Sequence, residues 1–294
     1  MEIVRVEELG KTYPGGTVAL RGVDFAVQRG EVFCLLGRNG AGKTTLLRIL
    51  ATQLKPTTGK AIVFGQEVVA GAKEIRKRIG VVPQEARPQM LLSAYDHVYY
   101  FCLIRGMSRS EARRRTQSIM EELDLWEHRK KLCADLSGGL RQRVIIATAL
   151  TIEPELVFLD EPSIGLDPIG RRAVWSLIRR MTARGVTVLL TTHYMDEAEM
   201  LADRLLIIEK GRVAYIGTVE NAKQATGNRM QVIVEPLVPK GGNGRQVLTP
   251  ASNEEILEVV QRSLLDGHKV TFKPPSLEEA FIKIVGGSID VENA

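Results

Sequence analysis

Residues 32–47 read VFCLLGRNGAGKTTLL, and this stretch decides the fold. An apolar run from Val32 to Leu36 leads into a glycine-rich turn, and a helical pattern follows immediately. The apolar face of that helix would carry Leu46, Leu47, Leu50 and Leu54. Two more apolar runs, Leu156 to Leu159 and Val186 to Leu190, alternate with longer helical patterns. Such runs are typical of parallel strands buried between crossover helices, so we predict an α/β core.

The segments around this core predict two additional parts. Residues 2–28 indicate antiparallel strands, with turns at 14–16 and 29–30. Residues 93–153 look helical throughout, which is unusual inside an α/β protein and indicates a separate helical subdomain. We therefore expect an antiparallel β subdomain and a helical subdomain, the latter over about residues 90–153.

The character of the sequence changes after residue 217, and we place a domain boundary near 220. The division gives a main domain at 1–220 and a small accessory α+β domain at 221–294. The second domain has, in order, a strand, a Pro/Gly-rich turn, a helix, a strand and a last helix. These are expected around Val232 to Val234, Pro236 to Gly244, Ser252 with Glu255, Val270, and from Ser276.

Composition limits the class of protein. Of 294 residues 44% are hydrophobic, enough for a large core, while 40 Lys+Arg against 35 Asp+Glu give a net charge of +5. Basic clusters occur at Arg113 to Arg115, Arg129 to Lys131, and Arg171, Arg172, Arg179 and Arg180. We interpret them as solvated helix faces rather than a nucleic-acid surface.

The cysteines and the apolar runs predict where the chain works. Cys34, Cys102 and Cys133 lie far apart, which argues against a disulfide framework or a structural zinc site and fits a reducing cytosol. We find no signal peptide and no stretch of about 18 apolar residues. If a membrane is involved, another chain would span it.

The turn after Leu36 matches the pattern GxxxxGK[ST] at every fixed position and lies between a strand and a helix, as that pattern requires. Its glycines would let backbone N–H groups wrap phosphates, and the helix N-terminus adds its positive dipole end. Lys43 would pair with the β- and γ-phosphates, and the Thr44 hydroxyl would ligate Mg²⁺. The predicted nucleotide-binding residues here are Gly37, Arg38, Asn39, Gly40, Ala41, Gly42, Lys43, Thr44 and Thr45.

Residues 156–161 read LVFLDE, an apolar strand that ends in two carboxylates. Carboxylates at the C-terminal edge of a parallel sheet face the ligand crevice. We expect Asp160 to hold Mg²⁺ through water and Glu161 to polarise the attacking water. The simpler alternative, an ordinary turn before Pro162, explains the proline but not the acidic pair.

Residues 136–143 read LSGGLRQR, which resembles the LSGGQ signature of ABC ATPases. Other elements resemble that family's motifs in the family's order. Tyr13 resembles the adenine-stacking aromatic residue, Gln84 the Q-loop glutamine, Ser163 to Asp167 the D-loop, and His193 the switch histidine. The resemblance implies a P-loop ATPase of ABC type that uses ATP and Mg²⁺. It also implies catalytic roles for Lys43, Gln84, Glu161 and His193, and Mg²⁺ ligation by Thr44, Gln84 and Asp160.

The resemblance implies partners as well. In this family the signature of one subunit, here Ser137, Gly138 and Gly139, caps the ATP held by the partner's phosphate loop, so we expect a dimer, with a homodimer favoured. A transmembrane permease would be the second partner, with this chain at the cytoplasmic face of the cell membrane. Residues 275–281, PSLEEAF, resemble the closing motif of ATPases paired with ABC-2-type drug exporters. The same residues also make a simple capping box before a helix.

Two alternatives stay open at this point. A soluble ABC ATPase acting on nucleic acid or ribosomes would fit the positive charge. However, no sustained heptads separate Lys43 from Ser137, and the chain has one ATPase domain rather than two. Residues 91–101, LLSAYDHVYYF, replace the family's usual stretch after the Q-loop, so they indicate either a docking surface or a subdomain core.

Overall fold

The computed structural model describes residues 1–225, 230–236, 246–250 and 252–286. The chain forms two compact units, Met1–Gly217 and Thr218–Ala294. In the first unit the strands are β1 (Glu2–Thr12), β2 (Val18–Gln28), β3 (Val32–Leu36), β4 (Thr58–Val63), β5 (Gln66–Glu67), β6 (Ile79–Val82), β7 (Leu156–Asp160), β8 (Thr187–Thr192), β9 (Arg204–Glu209) and β10 (Arg212–Gly217). The helices are α1 (Lys43–Leu50), α2 (Ala72–Ile75), α3 (Ala94–Ile104), α4 (Arg109–Glu122), α5 (Gly138–Ala149), α6 (Pro168–Ala183) and α7 (Met195–Leu201).

A mixed sheet in the order β10-β9-β3-β8-β7-β6 forms the centre of the first unit. Strands β9, β3, β8, β7 and β6 pair in parallel, and β10 adds antiparallel to β9. Every residue of β3, β7 and β8 is buried, which explains why these strands read as continuous apolar runs. The register sets Leu36 beside Thr192 and Asp160 beside Thr191, so the carboxyl ends of the three strands meet at one edge.

The first strands form a separate antiparallel sheet in the order β2-β1-β4-β5. Its buried side chains and the phosphate-loop helix belong to one hydrophobic core. Helix α1 ends at Leu50, so Leu54 lies beyond the helix rather than on its face and packs half-buried against that core. The predicted helical face therefore included one leucine too many, Leu54, which lies four positions beyond the end of the helix.

The helical subdomain contains α3, α4 and α5, but the prediction that residues 93–153 are helical throughout was wrong. Helix α4 ends at Glu122, and the φ of +56° at Asp124, two residues later, prevents the helix from continuing. Two short 3₁₀ turns, Trp126–His128 and Cys133–Asp135, then lead to α5, and Ser93 forms a bridge with Leu132. Leu123, Leu125, Cys133 and Leu136 are buried along this connection, whereas Leu132 is exposed. The hydrophobic pattern therefore continues past the end of α4, and that continuity misled the helix prediction.

Several residues of the basic clusters have partners within the chain. Arg115 donates to the carbonyls of Leu150 and Thr151 at 2.6 and 2.9 Å. Ion pairs join Arg171 to Asp196, Arg179 to Asp203 and Arg180 to Asp124. These arginines connect helices of the first unit to neighbouring segments, which is a structural use of the charge.

The second unit contains β11 (Gln231–Pro236), β12 (Gln246–Leu248) and β13 (His268–Lys273), with α8 (Val219–Ala225), α9 (Asn253–Leu265) and α10 (Leu277–Val285). The strands form an antiparallel sheet in the order β12-β11-β13. Ser252 and Ser276 cap α9 and α10 by accepting hydrogen bonds from the N–H groups of Glu255 and Glu279. Most of the expected Pro236 to Gly244 turn lies outside the described residues. Strand β12 had no clear sequence signal.

Within the described ranges, none of the helices has the length and apolar character needed to span a bilayer.

Candidate active site

The phosphate loop connects β3 to α1 and is held close to neighbouring backbone. Gly42 has a φ of +111°, and a Cβ there would lie 2.6 Å from the carbonyl oxygen of Ala19. A Cβ on Gly37 would lie 2.5 Å from the carbonyl oxygen of Ile208. Both positions require glycine, one for conformation and space and the other for space alone. The loop therefore delivers its N–H groups and the start of α1 to one side of the sheet edge.

Lys43, the first residue of α1, has a side chain that is only 5% exposed. Its Nζ donates to the carbonyl oxygens of Gly37 and Arg38 at 2.8 and 3.3 Å. The same nitrogen lies 3.4 Å from Oε1 of Glu161. A buried ammonium group needs anionic or carbonyl acceptors, and the carbonyl oxygens of the loop and the carboxylate of Glu161 supply them.

Asp160 ends β7 and is 3% exposed. Its Oδ1 accepts hydrogen bonds from Thr44 Oγ1 at 3.1 Å and from Thr191 Oγ1 at 2.5 Å. Thr44 belongs to α1 and Thr191 to β8, so three separate elements meet at one carboxylate oxygen. Thr191 was absent from the predicted site residues, although it precedes the predicted histidine by two positions. Sheet register, which the sequence did not specify, is what places it opposite Asp160.

Glu161 is 7% exposed and has a φ of +50°, a left-handed conformation that is strained for a residue other than glycine. Its N–H faces both the carbonyl oxygen and Oγ1 of Thr191, at 3.1 and 3.0 Å. Its Oε2 lies 2.8 Å from Nδ1 of His193. The strained backbone thus directs the carboxyl group between Lys43 on one side and His193 on the other.

Gln84 follows β6 and reaches the same cavity as the phosphate loop. The residues that line this cavity are Ala19, Asn39, Gly40, Gly42, Lys43, Thr44, Thr45, Gln84, Glu161 and Ile164. Tyr13 lies at its margin, where its hydroxyl group is 3.1 Å from Thr45 Oγ1 and forms a hydrogen bond with it. Ile164 lies within the predicted D-loop, whereas Ala19 had no sequence signal, because an apolar residue of a cavity wall belongs to no motif.

Ser137 caps helix α5 by accepting a hydrogen bond from the N–H of Leu140 at 3.4 Å. Ser137 and Gly138 are exposed. In the part of the chain that the structure describes, Ser137, Gly138 and Gly139 do not line the phosphate-loop cavity of their own chain. A Cβ on Gly139 would lie 3.1 Å from Cα of Gly170 in α6. The signature therefore sits at an exposed helix N-terminus that is packed closely against the start of α6.

The sequence of this chain is similar to those of known proteins. A family model described as ABC transporter matches residues 20–164. The chain is 37% identical to the daunorubicin resistance ATP-binding protein DrrA3 of Streptomyces coeruleorubidus, over 99% of this chain and 98% of that one. The chain belongs to the ABC transporter family. It is also 40% identical to the doxorubicin resistance ATP-binding protein DrrA of Mycobacterium tuberculosis, over 79% of this chain and 70% of that one.

Solved ABC structures share its fold. CbiO1 from Clostridium perfringens, part of the ABC transporter complex cbiONQ, superposes with a TM-score of 0.70 at 31% identity, over 77% of this chain and 93% of that chain. The predicted ABC-type P-loop fold is thus confirmed. The chain is an ATP-binding, ATP-hydrolysing subunit of an exporter-type ABC transporter. These relatives do not favour the alternative of a soluble ABC ATPase that acts on nucleic acid or ribosomes.

Proposed function

We propose that this ABC subunit binds MgATP at the cavity between the phosphate loop and the acidic end of β7, and hydrolyses it with Glu161 as general base. The proposal rests on three side chains that come from distant segments and meet at Glu161. The Glu161 carboxyl group lies 3.4 Å from Nζ of Lys43 and 2.8 Å from Nδ1 of His193. Phosphate oxygens would replace the acceptors that Lys43 now has. The loop N–H groups from Gly37 to Gly42, with Thr44 and Thr45, would hold the remaining phosphate oxygens.

The donor set suits Mg²⁺. A hydroxyl from Thr44, a carboxylate from Asp160 and an amide oxygen from Gln84 are hard oxygen ligands of the kind that Mg²⁺ prefers. No cluster of three or more His, Cys, Asp or Glu side chains able to hold a metal occurs in the part of the chain that the structure describes. This fits an ion held by few protein ligands together with substrate phosphates and water. When bound, Mg²⁺ would neutralise charge on the phosphates.

Glu161 has the surroundings of a general base. Its carboxyl group is buried, lies in the cavity wall and is held by a fixed backbone, so an attacking water would be oriented rather than free. His193 approaches the same carboxyl group and would complete the positioning of water and γ-phosphate. We assign catalytic roles to Lys43, Glu161, His193 and Gln84 on this basis.

A second copy of the chain would complete the site. Ser137, Gly138 and Gly139 lie at an exposed helix N-terminus, which is suited to phosphate but separate from the cavity of their own chain. We propose that they cap the nucleotide held by a partner subunit, and that the partner is an identical chain. Tyr13, at the cavity margin, would stack on adenine.

A transmembrane permease would receive the motion of the ATPase pair at the cytoplasmic face of the cell membrane. On α3, Val98 and Cys102 are buried, while Tyr100 and Ile104 are 47% and 79% exposed. The exposed side of α3 is our candidate contact surface, and the buried side is subdomain core. Residues 1–220 would act as the ATPase domain and 221–294 as an accessory domain. Relatives are named for daunorubicin resistance and for Nod factor export, so we propose export of a compound that the permease selects.

The test is to trap the pair with Glu161→Gln. In its native cells, this variant should bind MgATP, dimerise and hydrolyse it very slowly. Gentle detergent extraction followed by mass spectrometry should recover a multi-span membrane protein. Wild-type hydrolysis by the variant would remove Glu161 as the base. Ribosomes, nucleic acid or soluble partners alone would contradict the transporter assignment.

A further inference from the structure

Glu197 is a carboxyl group that the proposed chemistry does not use, and it is completely buried in α7. Its Oε1 accepts two hydrogen bonds, one from Ser163 Oγ and one from Trp175 Nε1 at 2.9 Å. Burial is the main cause that raises the pKa of Glu197 above its usual value. The side chain of Thr192, the residue before His193, also interacts with this carboxyl group and partly lowers its pKa. Burying a carboxyl group is costly, so a hydrophobic residue would be the expected occupant of a purely structural position.

The donors on Glu197 come from segments next to the catalytic groups. Ser163 is 1% exposed and lies two positions after Glu161, in the turn where Ile164 N–H donates to the Glu161 carbonyl at 3.2 Å. Trp175 belongs to α6, the helix that begins at the end of this turn. Glu197 itself lies four positions after His193, near the start of α7.

We propose that Glu197 is a positioning residue for hydrolysis. One oxygen atom ties the segment after Glu161 to the segment after His193, and it thereby maintains the 2.8 Å approach between these two side chains. The inference rests on the proposed roles of Glu161 and His193. Glu197 does not line the nucleotide cavity, so its loss should change the rate of the chemical step and leave nucleotide binding in place.

The position requires an acceptor rather than a negative charge. A glutamine has the same shape and offers one oxygen to both donors, whereas a leucine fills the space and offers none. We expect Glu197→Leu to lower kcat about tenfold or more, with KM for ATP within about twofold of wild type, since a small misplacement of catalytic groups costs rate rather than affinity. Glu197→Gln should keep kcat within about threefold.

Glu31 offers a matched control. Its side chain is 11% exposed, burial raises its pKa, and its Oε1 accepts from Gln28 N–H at 2.7 Å and lies 3.3 Å from an Arg204 nitrogen. It precedes β3, at the edge of the sheet opposite the phosphate loop. Glu31→Leu should lower Tm and leave kcat unchanged at temperatures where the variant is folded.

The experiment measures kcat, KM and Tm for the full-length chain and these variants. A wild-type kcat in folded Glu197→Leu would overturn the proposal. So would an equal loss of kcat in the leucine and glutamine variants, or a loss in Glu31→Leu that matches it. If Glu197→Leu does not fold, the double variant Ser163→Ala with Trp175→Phe decides: a tenfold lower kcat supports the proposal and a wild-type kcat refutes it. Normal hydrolysis by Glu161→Gln would instead refute the proposed function.

Discussion

Thr191→Val tests how the acidic end of β7 is held. The hydroxyl group of Thr191 is fully buried, donates to Asp160 Oδ1 at 2.5 Å and lies 3.0 Å from the N–H of Glu161. Valine keeps the shape of the side chain and removes both contacts. Asp160 would retain the bond from Thr44, and the N–H of Glu161 would retain the Thr191 carbonyl at 3.1 Å. The backbone of Glu161, with its φ of +50°, would then be held by one acceptor instead of two.

The expected magnitude follows from those two contacts. A hydrogen bond to a charged group contributes about 1.5–3 kcal/mol and a neutral one about 0.5–1.5 kcal/mol, so we expect a loss of about 2–4.5 kcal/mol in the free energy of unfolding. For a domain of this size that corresponds to a fall in Tm on the order of 4–18 °C. We also expect kcat to fall about tenfold because Glu161 is less well oriented. Thermal unfolding and ATP hydrolysis, both near pH 7, measure the two effects.

Thr191→Ser is the matched control. Serine keeps the hydroxyl group and removes one methyl group, which costs about 0.5–1.5 kcal/mol in a buried position. The serine variant should therefore lose some stability and keep most of its kcat. Equal kcat in the serine and valine variants, or a wild-type Tm in the valine variant, would refute the assignment of the hydroxyl group as the element that holds the site.

Three other outcomes are expected. Gly42→Ala should abolish detectable ATP binding, because its Cβ would lie 2.6 Å from the Ala19 carbonyl oxygen at a φ of +111°. Gly40→Ala should weaken ATP binding less, because no heavy atom lies within 4 Å of its Cβ. Equal ATP affinities of the two variants by titration would contradict this expectation. Tyr13→Ala should weaken ATP binding about tenfold with an unchanged Tm, and an unchanged Kd would remove Tyr13 from the site. Hydrogen bonds from Arg78 and Arg29 lower the pKa of Glu155 to about 2. The contribution of this carboxylate to stability is therefore complete above its unfolded pKa of about 4.3 and disappears as the pH falls toward 2. The difference in Tm between wild type and Glu155→Gln should therefore narrow from pH 6 to pH 3, and a constant difference would exclude this linkage.

The sequence predicted the parts of the fold that depend on local pattern. The strand from Val32 to Leu36 is a short apolar run, the helix after Gly42 is periodic, and glycines separate them, so their positions followed from the local order of residues. The connection around Asp124 did not follow, because a single left-handed residue ended a helix while the hydrophobic period continued through it. Strand β12 was missed for the opposite reason, since its three residues are exposed and carry no apolar alternation.

The site divides in the same way. Contiguous residues, such as the phosphate loop and the pair Asp160 and Glu161, could be predicted because the residue types and spacing of each motif indicate its chemistry. Thr191 and Glu197 could not, because their roles depend on which strands are neighbours and on which helix packs across the turn after Glu161. A threonine at the end of a strand and a glutamate on a helix have many ordinary explanations until register and burial are known.

The two charges of Lys43 and Glu161 determine how variants at this site should be interpreted. Both side chains are nearly buried, at 5% and 7% exposure, and lie 3.4 Å apart, so each compensates the burial of the other. Lys43→Ala would therefore remove a phosphate ligand and also leave Glu161 buried without a nearby cation, which lowers stability as well as affinity. Glu161→Gln removes the basic oxygen while Lys43 retains the carbonyl oxygens of Gly37 and Arg38. A loss of turnover in the glutamine variant thus reports on the chemical step, whereas the same loss in the alanine variant combines binding, stability and chemistry.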